Sequence, residues 1–221
     1  MAQLLFTART GGVSTDEFSS LNLGDHVGDN PADVSQNREI LGKLVSQSAP
    51  VFMDQVHGDS VVEITAESRK LVTADAIITK VVGLPLVVLV ADCLPILISG
   101  GSVVGAVHAG RKGILNGIIS NTVLAMRNLG ARELKAKIGP AICRDCYEVD
   151  LQMYENALSQ SAELATSPEQ HCLDLVAAAK SQLQSLGVET TSVDICTAHD
   201  TNYFSYRRDG QTGRSAGVIV L

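Results

Sequence analysis

Three residues with metal-binding or nucleophilic side chains follow apolar runs in this chain. His57 follows Val51-Phe52-Met53-Asp54-Gln55-Val56, Cys93 follows Val87 to Ala91 and Asp92, and His108 follows Val103 to Val107. Strand ends are where a rigid scaffold presents reactive groups. Two imidazoles and one thiolate make a zinc set with a fourth position left for water. Water held there would be acidified toward neutral pH. Spacing does not decide the matter: thirty-five and fourteen residues separate the three positions, so only the fold can bring them together. Cys93 with His57 or His108 could equally be a metal-free thiolate–imidazolium nucleophile.

Other polar groups cluster near these positions. Asp92 precedes Cys93 and, in a strand, would point to the opposite face. It reads as a support for a ligand, as a general base, or as a structural acceptor at a strand end. His108-Ala109-Gly110-Arg111-Lys112-Gly113 joins a strand to a helix. Backbone N–H groups at such a start suit an anion, and Arg111 and Lys112 add positive charge. The plain alternative is a tight turn with solvated basic residues. Cys143 and Cys146 form a Cys-x-x-Cys, a spacing used in redox and zinc sites. No second Cys-x-x-Cys follows, so the pair reads as structural or incidental. Cys172 and Cys196 read as core residues on a helix and a strand. Tyr203-Phe204-Ser205-Tyr206-Arg207-Arg208-Asp209-Gly210 could stack on and pair with a ligand, or be a surface hairpin turning at Asp209-Gly210. Arg9, Asn22 and Asn37 lie among loop signals and could face a pocket.

Elements of both periods must position these groups. Asp33–Val45 patterns as a helix, Val51–Val56 and Ser60–Ile64 as strands around a His57-Gly58 turn, and Ala76–Thr79 as a short strand. Leu84–Ile98 is apolar apart from Asp92, as for strands buried on both faces, and Val103–His108 is similar. A helix over Ile114–Leu129 ends at Gly130. Lys135–Ile138, Val193–Thr197 and Ala216–Leu221 read as strands, Asp150–Leu164 and Cys172–Leu186 as helices. Hairpin and βα connections mix, so the expected class is α+β (mixed α/β): central mixed sheets with helices packed outside. No Pro/Gly/Ser-rich linker divides residues 1–221, which suggests one domain.

The chain has 221 residues, 45% of them hydrophobic, and a formal net charge of −7. That length supports a sizeable core. An acidic surface excludes a non-specific nucleic-acid binder, which needs a basic stripe. The Leu84–Ile98 stretch is broken by Asp92 and Pro95 and is too short to span a membrane. No signal peptide is evident, and five cysteines do not make a disulfide framework, so a cytoplasmic enzyme with reduced thiols is expected. The oligomeric state stays open.

Nine segments in register resemble one family. They are Thr7-Ala8-Arg9-Thr10-Gly11-Gly12-Val13-Ser14, Leu21-Asn22-Leu23-Gly24, Asn37-Arg38, Gln55-Val56-His57-Gly58, Ala91-Asp92-Cys93-Leu94-Pro95, His108-Ala109-Gly110, Ile138-Gly139-Pro140-Ala141-Ile142, Cys146-Tyr147-Glu148-Val149, and Phe204 to Gly210. Together they resemble the YfiH/laccase-domain family, once labelled multicopper polyphenol oxidoreductases. The resemblance implies a zinc-dependent purine nucleoside phosphorylase with adenosine deaminase activity. Its substrates would be phosphate and adenosine, inosine, guanosine or methylthioadenosine. It implies metal ligands at His57, Cys93 and His108. Asp92, Cys93 and His108 are then the expected catalytic groups, and Arg9, Asn22, Arg111 and Arg207 the expected substrate contacts. Some bacterial members are linked to peptidoglycan editing, a further alternative beside a metal-free cysteine hydrolase. A copper polyphenol oxidase fits less well, because such centres need more histidine ligands than the five present. One departure stands out. The family usually carries tryptophan after His-Ala-Gly, and this sequence has Arg111.

Overall fold

The computed structural model describes residues 2–45, 48–66, 71–166 and 171–221. The first half runs β1 (Gln3–Phe6), α1 (Pro31–Val45), β2 (Met53–Asp54), β3 (Val61–Glu63), β4 (Val72–Thr73), β5 (Ala76–Thr79), β6 (Leu86–Val90), β7 (Leu94–Gly100) and β8 (Val103–Ala109). The second runs α2 (Arg111–Asn116), α3 (Ile118–Asn128), β9 (Lys135–Ile138), α4 (Leu151–Gln160), α5 (Leu175–Ser185), β10 (Glu189–Ser192), α6 (Tyr206–Asp209) and β11 (Ser215–Val220). The strands form a six-stranded mixed sheet in the order β10-β9-β7-β8-β5-β3, a three-stranded sheet β1-β11-β6, and a small β2-β4 pair. The class is α+β with mixed sheets.

Period-two alternation sorts these elements into layers. Along β7, Leu94, Ile96 and Ile98 face the helices, packing with Ile119 and Val123 of α3 and Leu183 of α5. Leu97 of β7 and Val104 and Ala106 of β8 face the other way, against Leu86, Val88 and Val90 of β6 and Ile219 of β11. Val87, Leu89 and Val218 then point outward from the three-stranded sheet and are covered by Leu21, Leu23 and Leu41 of α1. The result is helix, sheet, sheet, helix, with aliphatic side chains filling each gap. Burying each Leu, Ile or Val contributes about 1.5–3 kcal/mol, so aliphatic packing offsets the scarcity of aromatics. No helix among the described residues is long and apolar enough to cross a membrane.

Several elements differ from the sequence pattern, each for a local reason. The apolar run Leu84–Ile98 is two antiparallel-sheet strands separated at Ala91–Cys93, where Asp92 has φ 97°. Asp92 therefore does not sit on the reverse face of a strand. The helix expected over Ile114–Leu129 starts earlier and breaks at Gly117, which has φ 96° and serves both α2 and α3 as a cap. The segment Val193–Thr197 is not a strand; the strand is Glu189–Ser192, parallel to β9. Its ladder ends where β9 reaches Gly139-Pro140, and proline has no N–H to continue it. Of Val51–Val56 only Met53–Asp54 is strand, with a single bridge at Val51. The helix expected over Asp150–Leu164 ends at Gln160, and a one-turn 3-10 helix follows at Ala162–Leu164. Asp209-Gly210 closes a short helix rather than a hairpin.

Candidate functional site

Asp75 lies fully buried at the start of β5. Its Oδ1 accepts the His57 N–H at 2.9 Å and faces His108 Nδ1 at 2.8 Å. Its Oδ2 accepts the N–H groups of Gly58 at 2.6 Å and Val56 at 3.3 Å. The antiparallel register puts Ala76 opposite Val107, so Asp75 and His108 are neighbours, and the His108 N–H donates to the Asp75 carbonyl at 2.7 Å. Burial pushes the Asp75 carboxyl up, but the His108 bond and the Gly58 and His57 amides outweigh it and hold it below its ordinary value. One carboxylate thus fixes both the turn that carries His57 and the ring of His108. With Nδ1 facing Asp75, His108 keeps Nε2 for another partner.

Cys93 is that partner. Burial raises its thiol, yet hydrogen bonds and charge from His108 and His57 bring it down to about 6. Burial likewise lowers His108, and Asp75 with Cys93 raises it to about 9. The His57 and His108 rings meet edge to face with centroids 4.7 Å apart, and Cys93 Sγ lies 3.9 Å from His57 Nε2. One ligand atom from each of the three lies within 4.8 Å of the others. Gly110 closes the group: a Cβ there would lie 3.0 Å from Cys93 Sγ and 3.1 Å from His57 Cδ2. The Cys93 sulfur, the His108 nitrogen that faces it and the exposed His57 converge as ligands of a metal ion would, and the Asp75–His108 bond is the support such ligands use.

The backbone here is strained. His57 has φ 60° and Asp92 φ 97°, values that cost a side-chain-bearing residue about 1–3 kcal/mol each. Asp92 is held by three bonds. Its Oδ1 accepts from Thr197 Oγ1 at 2.7 Å, its Oδ2 from the Arg207 N–H at 2.7 Å, and its carbonyl from the Ile142 N–H at 2.9 Å.

A cavity of about 330 Å³ opens over the trio, within the range of about 300–1,000 Å³ common for small-molecule pockets. His57, Cys93, His108, Tyr147, Arg207 and Arg214 line it, with Asp92 and Gln55. The Arg207 guanidinium lies 5.4 Å from the Tyr147 ring centroid. Burial pulls the Arg214 guanidinium below its ordinary value and pushes the Tyr147 phenol above its own.

Of the expected contacts, Arg207, Asp92 and the trio share this cavity, while Arg9, Asn22 and Arg111 are not in its lining. Arg9 donates to Ser19 O and lies over Phe204. Asn22 is fully buried, bonded to Gly24, Asp29 and Arg214, and Asn37 likewise ties Val13, Ser14, Ser20 and Asn22 together. Arg111 acts on Tyr147 through its charge, and its Nε is buried without a hydrogen-bond partner among the described residues. Asp75 and Arg214 were not legible as site residues. The only signal for Asp75 was an acid standing directly before the short, mainly apolar strand Ala76–Thr79; for Arg214 there was none.

A family profile described as multi-copper polyphenol oxidoreductase laccase matches residues 3–221. The chain belongs to this family. YfiH is the name that several of its relatives carry. This YfiH-family chain is 41% identical over 229 residues to a purine nucleoside phosphorylase of Corynebacterium glutamicum, covering 98% of this chain and 93% of that one. It is 37% identical to the purine nucleoside phosphorylase YfiH of Escherichia coli, covering 97% and 92%. Among solved structures, a Neisseria meningitidis protein shares 35% identity at a TM-score of 0.91, covering 100% and 94% of the two chains. YlmD of Geobacillus stearothermophilus shares 30% at 0.87, covering 99% and 91%. The YfiH fold is therefore shared along the whole chain, and relatives so named support an enzyme.

Proposed function

We propose that this chain is a zinc-dependent purine nucleoside phosphorylase with adenosine deaminase activity. It acts as one domain in the cytoplasm on adenosine, inosine, guanosine and methylthioadenosine. One observation carries the reading: the His57–Cys93–His108 trio opens onto a cavity shared with two arginines, in a chain whose relatives are named purine nucleoside phosphorylases. His57, Cys93 and His108 would hold the zinc, which would supply Lewis-acid polarisation of a substrate oxygen or water.

In phosphorolysis a phosphate oxygen bonds to the ribose C1′ as the bond to the purine nitrogen breaks. The purine leaves with the electron pair and takes up a proton. Arg207 and Arg214 supply cationic donors for phosphate, bonds stronger than neutral ones. Tyr147, kept protonated by burial, can donate to the departing base. Both Asp92 oxygens are engaged, which supports a positioning role: it holds the Arg207 backbone and the strained turn before Cys93. In deamination, water adds at C6 and ammonia leaves from the same cavity.

The test is turnover of inosine with phosphate. His108→Ala is expected to lower kcat/KM by more than about 100-fold and to remove zinc, because it takes away a ligand rather than a supporting group. Unchanged turnover with unchanged zinc content would sink the assignment. A second reading rests on the Cys93 thiol at about 6: a metal-free cysteine nucleophile with a histidine base. Indifference to chelator with sensitivity to a thiol alkylator would favour it.

A further inference from the structure

We propose a second metal centre, a structural zinc site, at Cys143, Cys146, Cys196 and His199. It goes beyond the nucleoside site and uses none of its ligands. One ligand atom from each of the four lies within 4.8 Å of the others. A tetrahedral zinc with Zn–S bonds of about 2.3 Å sets sulfurs about 3.8 Å apart, which falls inside that spread.

Two loops make this meeting, and each is built the same way. Cys143-Arg144-Asp145-Cys146 is a turn closed by the Cys146 N–H donating to the Cys143 carbonyl at 3.1 Å. Cys196-Thr197-Ala198-His199 is a turn closed by the His199 N–H donating to the Cys196 carbonyl at 3.2 Å. A two-residue gap inside such a turn aims both side chains to one side, which is why Cys-x-x-Cys recurs in zinc sites. A bridge between Ala141 and Cys196 sets the turns side by side, with the Ala141 N–H donating to Ile195 O at 3.2 Å and the Thr197 N–H to Ala141 O at 3.0 Å. Across the gap Cys146 Sγ lies 3.1 Å from His199 Nε2, and the Cys143 N–H donates to Cys196 Sγ at 3.3 Å. All three thiols are free.

The donor set names the ion and its role. Three soft thiolates with one imidazole at tetrahedral spacing select zinc, and four protein ligands leave no open position, the mark of a structural rather than a catalytic centre. Hydrogen bonds from both loops show what it would hold together. Directly before the first loop, the Ile142 N–H donates to the Asp92 carbonyl at 2.9 Å, and the carbonyl of Cys146, itself a ligand, accepts from Arg207 at 3.0 Å. In the second loop Thr197 bonds Asp92 and accepts from Arg208 at 2.7 Å. The ion would staple the two loops that carry one wall of the cavity.

Metal analysis of the purified, reduced full chain tests this. The unmutated protein is expected to hold two zinc ions per chain. A Cys143→Ser/Cys196→Ser variant and a His57→Ala/Cys93→Ala variant should each hold one. Cobalt substitution of the His57→Ala/Cys93→Ala variant should give the intense visible bands of tetrahedral thiolate coordination, a readout that does not require the cluster variant to fold. A zinc content that the Cys143→Ser/Cys196→Ser variant leaves unchanged, no such spectrum, or a Cys143–Cys146 disulfide in the non-reduced protein would each overturn the proposal. The nucleoside reading fails separately, through turnover and the other zinc ion.

Discussion

The His57–Cys93–His108 cluster is set by one buried carboxylate, whereas the Cys143–Cys146–Cys196–His199 cluster is set by two backbone turns. In the first, Asp75 reaches His108 and the His57 turn at once, and the ligands come from three distant places at the ends of β2, β6 and β8. In the second, each turn supplies two ligands by its own geometry. Both line a cavity, but the first offers three ligands and the second four. The difference teaches how one chain separates reactivity from bracing. A centre that must keep a position open needs a supporting group to stop its ligands drifting, and a closed one does not.

Three substitutions bear on that contrast. The largest effect is expected from Asp75→Ala. It leaves buried His108 and three partly buried N–H groups without their acceptor, and breaking a buried pair such as Asp75–His108 costs about 3–5 kcal/mol. Denaturant unfolding should show that loss, and metal analysis should show zinc gone from the trio but kept by the four-ligand cluster. Loss of both ions would break the comparison. Gly110→Ala is expected to be milder. Its Cβ crowds Cys93 and His57, so zinc affinity at the trio should fall about 10–100-fold in competition with a chelator, with folding retained. An unaltered affinity would mean that the ligands yield and that Asp75 alone sets the site. Arg207→Ala should have the smallest effect. Removing one charged donor is worth about 1.5 kcal/mol, so KM for phosphate should rise about tenfold while both ions stay. A kcat loss with unchanged KM would instead assign Arg207 to bracing, through its bond to the Cys146 carbonyl.

The layered architecture was largely readable, because strands buried on both faces leave continuous aliphatic runs such as Leu86–Val90 and Val103–Val107. The trio was readable as residue types at strand ends, and only family resemblance joined them. Asp75 was not, since the register of β5 against β8, which sets it beside His108, leaves no mark in local spacing. The four-ligand cluster was missed differently. Cys143-x-x-Cys146 was visible, but its partner was sought as another Cys-x-x-Cys, and Cys196-x-x-His199 was read as a core strand followed by a loop. The matching two-residue gaps were the available signal. Gly117 hid because the apolar period of Ile114–Leu129 runs through it, while only a left-handed residue lets α2 turn into α3.

The three-stranded sheet has a consequence in time. Its middle strand is β11, and β1 and β6 meet each other only through it. Both edge strands are made early in synthesis, yet neither gains its ladder until Ser215–Val220 has left the ribosome. Cys93 lies in the three-residue link between β6 and β7, so one side of the turn that carries the thiol waits on β11. A nascent chain carries its first cluster's ligands long before it can arrange them.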